Sequence, residues 1–423
     1  MAVLVLSLNA GSSSLKFALS EVRPEGDPVT VARGAMTGLG TGIGTGIGPA
    51  PRMIARDAAG RIVHEHSWDD EGMPGHAALF DTLFGWVDDH QGSNGLIGVG
   101  HRIVHGGREF SEPVIVDAAI LARLDALCPL APLHQPHNLA ALRAAGAARP
   151  GLPQIACFDT AFHARQPAVA TRFAIPHALA AEGVRRYGFH GLSYDYGSRH
   201  LARIDPGMAR GRLVFAHLGN GASLCAVRDG RSIDGTMGFT ALDGLMMGTR
   251  CGSIDPGVLL YLQQAKGMSA DDVEHLLYER SGLLGVSGIS SDMRELLASG
   301  DARAREAIDL FVYRVVRDTG ALASVLGGLD GFVFTGGIGE NAAEIRSRIG
   351  DGLAWLGLVL DADANARAAP VISTPGSRVK ARIVATDEEH AIAVHTIALI
   401  DRAGPRRAVE QRDSSTLPES AGS

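Results

Sequence analysis

Aromatic side chains are scarce, 5% of the 423 residues, which argues against a binding module built on aromatic platforms. Cysteine is scarcer still: Cys128, Cys157, Cys225 and Cys251 form no CxxC pair and suggest no disulfide framework. Such usage fits a reduced, cytoplasmic compartment. No uninterrupted apolar stretch reaches transmembrane length. The opening AVLVLSLNAG lacks the basic flank and the long apolar run of a signal peptide. With a formal net charge of −7 and no basic stripe, nucleic acid is not an expected partner. Two common nucleotide signatures are also missing. There is no GxxxxGK[ST] loop, and no GxGxxG follows an apolar run.

What is present is a repeat. Residues 8–19 read LNAGSSSLKFAL and residues 217–227 read HLGNGASLCAV. An apolar run precedes each, AVLVLSL and RLVFAHL. The turn residues are small and offer free backbone N–H groups and hydroxyls, so an anionic group, a phosphate above all, can sit against the backbone. Two such hairpins predict two related domains facing each other across one nucleotide site. A hydrophobic content of 46% is ample for two cores, and 54 glycines predict many tight loops.

The spacing along the chain supports an α/β fold. Residues 3–8 read as a strand buried on both faces, and 15–19 alternate as a second hairpin arm. Residues 117–128 and 138–148 have helical spacing. LPQIACFD (152–159) reads as a strand ending in an acid, GLDGFVFTGG (328–337) as a strand ending in glycines, and 339–350 as a helix. RIVATDEEHAIAVHTIALI gives a strand, an acidic turn and a closing helix. GLGTGIGTGIG (38–48) reads as a flexible surface turn rather than a phosphate loop, because no strand feeds it and no lysine ends it. The polar segment after residue 402 is expected to be disordered. Alternating strands and helices with a repeated hairpin predict two α/β lobes. Ligands in such folds bind at the carboxyl ends of strands, where Asp159, Gly336–Gly337 and Glu388 fall.

Several segments can carry chemistry, each with a plainer reading beside it. In GHRIVHGG, Arg102 can clamp a carboxylate or phosphate with two parallel hydrogen bonds, or serve a structural salt bridge. Arg250 sits between Gly248 and Gly252, where it can neutralise a transferring phosphoryl group or face solvent. Asp159 can hold a metal, orient a substrate carboxylate or cap a helix. His190, after Phe189, can donate to a developing anion or be a buried structural histidine. The acids of TDEE can bind Mg²⁺ together with phosphates and waters, or charge a helix N-terminus.

Taken as ordered motifs, LNAGSSSLKF, GHRIVHGG, PLAPLHQPHN, FDTAFH, YGFHGLSY, HLGNGASL, GTMGFTALDGLMMGTRCGSIDPG, GISSDMREL, FTGGIGENAAEIR and TDEE resemble the acetate kinases, from about Val3 to about Ile400. That family belongs to the acetate and sugar kinase, heat-shock and actin superfamily. The resemblance implies duplicated ribonuclease-H-like, actin-like ATPase domains in two lobes around a nucleotide cleft. It implies ATP + acetate ⇌ ADP + acetyl phosphate with Mg²⁺ (Mn²⁺ as a possible substitute), by direct in-line transfer without a phosphoenzyme. By motif, Asn9 and Glu388 would position the metal, and Ser14 and Lys16 would line the phosphate end. Arg102 would hold the substrate carboxylate, and Arg250 and His190 would stabilise the in-flight phosphoryl group. Asp159 would be the essential carboxylate. His217, Leu218, Gly219, Asn220 and Gly221 would cradle the ATP phosphates, and Asp292, Met293 and Arg294 would contact the adenosine. Gly337, Ile338, Gly339, Glu340 and Asn341 would close the nucleotide site. Val104, Leu133 and Phe189 would line the methyl pocket, with His134 nearby. The implied lobes are 1–160, joined by the closing helix 388–402, and 161–387, which would also carry a homodimer interface; 403–423 would be the disordered tail. Lobe closure would exclude water and limit ATP hydrolysis.

The implied chemistry is physically coherent. A carboxylate is already a nucleophile and has no proton to lose, so no general base is required. Two anions must be brought together, so cationic clamps and Mg²⁺ should dominate. Asp159 is therefore expected to orient a metal or an arginine. The chain departs from the family's usual FTPLEG at Ala241 and Asp243, and losing the proline ring is expected to loosen the pocket wall. Since one methylene gives only about 1–3 kcal/mol of discrimination, measurable propionate turnover is expected. Met293 stands where some relatives carry an aromatic, and methionine can still cover a purine face. Two rival readings are another short-chain carboxylate kinase, for propionate or butyrate, and a non-catalytic nucleotide-gated binding protein. The paired Arg102 and Arg250 argue against the second.

Overall fold

The computed structural model describes residues 2–11, 14–39, 51–68, 75–91 and 95–413. Residues 40–50, most of the low-complexity segment expected to be a surface turn, lie outside the described residues. The chain forms two compact units. The first runs to Ala161 and resumes at Asp387; the second is Phe162–Thr386.

In the first unit the strands are β1 (Leu4–Ala10), β2 (Ser14–Glu21), β3 (Val29–Thr37), β4 (Arg52–Asp57), β5 (Ile62–Ser67), β6 (Leu96–Ile103), β7 (Val114–Ile115) and β8 (Gln154–Phe158). Their order in the sheet is β5-β4-β3-β2-β1-β6-β8-β7. The second unit holds β9 (Arg212–Leu218), β10 (Ala222–Arg228), β11 (Arg231–Gly235), β12 (Gly331–Thr335) and β13 (Lys380–Ile383), ordered β11-β10-β9-β12-β13. The repeat read from sequence is thus a repeat of architecture. Each hairpin, β1–β2 and β9–β10, is antiparallel and continues into a third antiparallel strand. On its other side the first hairpin strand has two successive parallel neighbours, β6 and β8 or β12 and β13. This is the ribonuclease-H-like order expected from the resemblance.

Local sequence explains these elements. The apolar run of β1 is buried on both faces, with Leu4, Val5, Leu6 and Leu8 at most 1% exposed. Asp229 and Gly230 join β10 to β11 in a two-residue turn with φ of 51° and 69°, the left-handed geometry an Asp-Gly hairpin favours. Gly100 on β6 admits the closing helix, Glu388–Asp413. A Cβ there would lie 2.2 Å from Thr396 Oγ1 and 2.4 Å from Ile392 Cγ2. That close seat sets where the helix begins, and with it Glu388. The helix does not stop at Arg402, where the disordered tail 403–423 was expected to start. Its backbone continues to Asp413, because the Arg, Ala, Glu and Gln residues after Pro405 are strong helix formers. Residues 414–423 lie outside the described residues. Among the described residues no helix is long and apolar enough to cross a membrane.

Each unit buries histidine. His101, 2% exposed, places Nε2 2.7 Å from Gln154 Oε1. His163, also 2% exposed, lies 2.8 Å from Ser232 Oγ and 3.0 Å from the Phe189 carbonyl. Burial pushes both imidazoles down to about 4, from an ordinary 6.5. Between those values the unfolded chain binds more protons. Their contribution to stability is therefore complete above pH 6.5 and is lost as pH falls toward 4. Urea unfolding midpoints should fall from pH 7 to pH 5, and His101→Gln should flatten that dependence. An equal pH slope in parent and variant would contradict this account.

Candidate active site

Two constellations stand out, one in each unit. In the first, β6 and β8 are parallel neighbours with Ile103 opposite Phe158. That register sets Arg102, at the end of β6, beside Asp159, just past the end of β8. Nε and Nη2 of Arg102 both donate to Asp159 Oδ2, at 2.9 and 2.6 Å, and Nη1 donates to Asn9 Oδ1 at 3.3 Å. Three of the five guanidinium N–H groups are so occupied, leaving two for a ligand. Asp159 is fully buried and its Oδ1 has no hydrogen-bond partner, whereas the Arg102 side chain is 18% exposed. Asp159 thus orients the arginine; it does not cap a helix. Asn9 Nδ2 donates to Glu388 Oε2 at 2.8 Å and to Glu389 Oε1 at 3.3 Å.

Three acids, Asp159, Glu388 and Glu389, act on the one guanidinium of this constellation. Burial pushes Glu388 up to about 7; Arg102 opposes that rise, and Asp159 and Glu389 add to it. For Arg102, burial acts downward, but Asp159, Glu388 and Glu389 together raise its pKa. Of the substrate-side candidates, Val104, Leu133 and His134 belong to the first unit. Val104 is buried, and its N–H donates to Asn138 Oδ1 at 2.9 Å, while Asn138 Nδ2 donates to the Ala10 carbonyl at 2.7 Å. Leu133 and His134 are half-buried, His134 at the N-cap of the Gln135–Ala148 helix. Lys16 lies opposite Asn9 and is exposed, and Ser14 opens β2 half-buried.

In the second unit, His190 caps the Gly191–Ile204 helix with φ 59°, a left-handed conformation that costs about 1–3 kcal/mol in a non-glycine residue. Gly188, at φ 77°, makes the approach possible, since a Cβ there would lie 2.6 Å from the His163 ring. The chain so bent stacks the His190 ring on His217, with centroids 4.3 Å apart and planes 26° apart. Each ring is held by a serine: His190 Nδ1 lies 2.8 Å from Ser223 Oγ, and His217 Nδ1 lies 2.9 Å from Ser193 Oγ. Ser193 Oγ also meets Thr386 Oγ1 at 2.8 Å, and the Tyr194 hydroxyl bonds Ser223. A Cβ at Gly221 would lie 3.1 Å from His190 Nε2 and 3.5 Å from Arg250 Nη2. The hairpin turn, the imidazole and the guanidinium therefore converge. Phe189, beside them, is buried.

The remaining candidates divide by what their side chains do. Gly336 requires φ 78°, with the Leu218 backbone within 2.8 Å of any Cβ, so the Gly336–Asn341 helix sits directly on the end of β9. Gly219 is close to it, its Cβ position 3.9 Å from the Gly337 nitrogen. Leu218 is fully buried and presents only its backbone. Gly337 and Asn341 are exposed, Ile338 half-buried and Gly339 buried. Asn220 is exposed, and its carbonyl accepts from Gly248 N at 2.9 Å. Glu340 is a brace, its Oε1 accepting from Gly336 N and Thr386 N, both at 3.0 Å. Asp292 caps the Met293–Ala298 helix and pairs with Arg294, while Met293 is 3% exposed and packed in the core. That burial leaves Met293 little side chain to lay on a purine.

Sequence reasoning missed Ser193, Ser223, Thr386 and Arg186. Ser193 is three residues from His190, one helical turn, which is the spacing that could have flagged it. Arg186 offered no local signal. It donates to the Thr236 carbonyl at 2.9 Å and pairs with Asp243 at 3.2 Å, while Arg250 Nη1 donates to the Ala241 carbonyl at 2.7 Å. The segment where the family's proline is replaced is thus pinned by two arginines.

The model of the Acetokinase family matches residues 4–394. An acetate kinase from Rhodopseudomonas palustris (strain ATCC BAA-98 / CGA009) is 52% identical over 406 residues, covering 95% of this chain and 99% of that protein. One from Nitrobacter hamburgensis is 49% identical over 396 residues, covering 94% and 96%. Among solved structures, a propionate kinase from Francisella tularensis matches with TM-score 0.84 at 37% identity, covering 94% of this chain and all of that one. Porphyromonas gingivalis acetate kinase matches with TM-score 0.82, also at 37% identity, with the same coverage. The chain belongs to the acetokinase family. Ser193→Ala should lower turnover about ten- to a hundredfold by freeing His217, with the thermal midpoint within a few degrees of the parent. Unchanged steady-state kinetics would contradict that role.

Proposed function

We propose that this chain transfers the γ-phosphoryl group of ATP reversibly to acetate, giving acetyl phosphate and ADP, by direct in-line displacement. The observation that carries this reading is the Arg102–Asp159 pair, an arginine aimed by a buried carboxylate with N–H groups to spare. Such a fork suits a carboxylate substrate. Bound there, acetate keeps an oxygen as nucleophile and gives up no proton, so Asp159 acts as an orienting group, not a base. In the first unit, Val104 and Leu133 offer apolar surface for the methyl group. In the second unit, the Gly219 N–H closes the turn onto the Gly221 carbonyl at 3.0 Å, and the backbone at Asn220, Gly221 and Gly337 suits the ATP phosphates. Arg250 and His190 face the same glycine and would offset equatorial charge as the phosphoryl group moves.

Family membership implies Mg²⁺, and the residues fit it. Mg²⁺ is usually held by one or two carboxylates plus phosphates and waters, so a cage of several protein ligands is not needed. Among the described residues no group of three or more His, Cys, Asp and Glu is disposed to hold a metal. Glu388 and the Asn9 amide would hold the ion. The orphaned Asp159 Oδ1, and Glu388 and Glu389 both meeting Asn9, put three acids about one guanidinium, a place a cation would suit. When bound, Mg²⁺ would neutralise charge on the β- and γ-phosphates.

The same reading takes the chain as a cytoplasmic homodimer. In support of the dimer, Leu260, Tyr261, Tyr313 and Trp355 of the second unit are each more than half exposed. The test is Mg²⁺- and ATP-dependent acyl phosphate formation, trapped as the hydroxamate, with acetate, propionate and butyrate in parallel. Acetate should lead, with propionate kcat/KM less than about a thousandfold lower. ATP binding without turnover of any acid would overturn the proposal in favour of a nucleotide-gated binding protein.

A further inference from the structure

A cavity of about 310 Å³ lies in the second unit between the C-terminal half of the Gly191–Ile204 helix, the short Pro206–Ala209 helix and the β9–β10 hairpin. That volume is at the small end of ligand sites, roughly ten water-sized groups. Leu201, Leu213 and Val227 give it a buried apolar wall. Ser198 also lines it; the residue is 8% exposed and its hydroxyl is buried with no hydrogen-bond partner. Two exposed residues of opposite charge complete the lining, Arg210 and Asp229. Neither side chain is paired with the other or with any other described residue. Asp229 is fixed in place by the tight turn it makes with Gly230.

A simple anion here would meet Asp229, and a simple cation would meet Arg210. A zwitterion with an apolar body satisfies both charges and the wall. We propose that this cavity is an effector site for an apolar α-amino acid, with its carboxylate on Arg210, its ammonium on Asp229 and its aliphatic chain against Leu201, Leu213 and Val227. Of these elements, the Gly191–Ile204 helix and the two hairpin strands carry the stacked histidine pair and its serines at their other ends. Ser198 is about 12 Å along the helix from His190, and Leu213 and Val227 are each about 13 Å along their strands from His217 and Ser223. An occupant that wedges the helix from the strands therefore displaces groups that hold His190 and His217. The turnover arm of the test rests on the proposed phosphoryl transfer; the binding arm does not.

The experiment titrates L-leucine into the full chain by calorimetry, with 4-methylpentanoate and 3-methylbutylamine as probes carrying one charge each. Leucine should bind saturably and more tightly than either. Arg210→Gln and Asp229→Asn should each weaken it about tenfold, about 1.4 kcal/mol. Asn tolerates the left-handed turn, so the second change removes charge without strain. Ala202→Trp, at an exposed helix position on the rim, should block the cavity and abolish binding. None of the three should alter basal turnover, while saturating leucine should change the parent's turnover and leave that of Ala202→Trp unchanged. The proposal is overturned by no saturable binding, by leucine binding no more tightly than the single-charge probes, by indifference to the three substitutions, or by binding that leaves the parent's turnover unchanged. Failure of the acyl phosphate assay with leucine still bound would strike the reaction, not the site.

Discussion

The buried pair of Arg102 and Asp159 is the constraint on which the first unit's chemistry depends. Two parallel strands end side by side, with Arg102 one residue before the end of β6 and Asp159 one residue past the end of β8. Removing either partner would strand the other in a poorly solvated place, at a cost of about 3–5 kcal/mol. The pair also fixes the guanidinium plane: two nitrogens converge on one carboxylate oxygen and a third reaches Asn9. Asn9 turns in the same geometry to Glu388 and Glu389. Arginine, amide and acids therefore form one connected network, so a change at any of them should be felt at the others.

Steric permission matters as much as charge. Gly100 lets the closing helix press onto β6, and that seat places Glu388 beside β1. Gly188 lets the chain pass over the His163 ring and turn His190 left-handed. Gly336 lets a short helix rest on the end of β9. At each position a methyl group would collide with named atoms. Backbone approach at these points is what brings polar side chains to the strand ends.

Much of this was legible in the chain. The two hairpins were visible because an apolar run buried on both faces, followed by Gly, Asn and Ser, has few other structural uses. The duplicated strand order followed from them. Arg102 and Asp159 could be singled out by type and setting, but their pairing depends on a strand register that no local pattern reveals. The same holds for Asn9 and Glu388, 379 positions apart. Ser193 acts through the fold alone, by meeting both Thr386 and His217. Met293 shows the limit of a motif: the sequence suggests a ligand contact there and says nothing of the packing that leaves its side chain 3% exposed. Pro405 and the polar composition around it suggest an end near Arg402, whereas the residues that follow favour helix and the backbone continues to Asp413.

The central claim, that Asp159 works by aiming Arg102, is tested most directly by a double-mutant cycle on acetate kcat/KM with Arg102→Gln, Asp159→Asn and the pair combined. The account expects strong coupling: once Arg102 is gone, Asp159→Asn should add little, so the double variant should be about as impaired as Arg102→Gln alone. Single losses that multiply, with no coupling between the two sites, would contradict it.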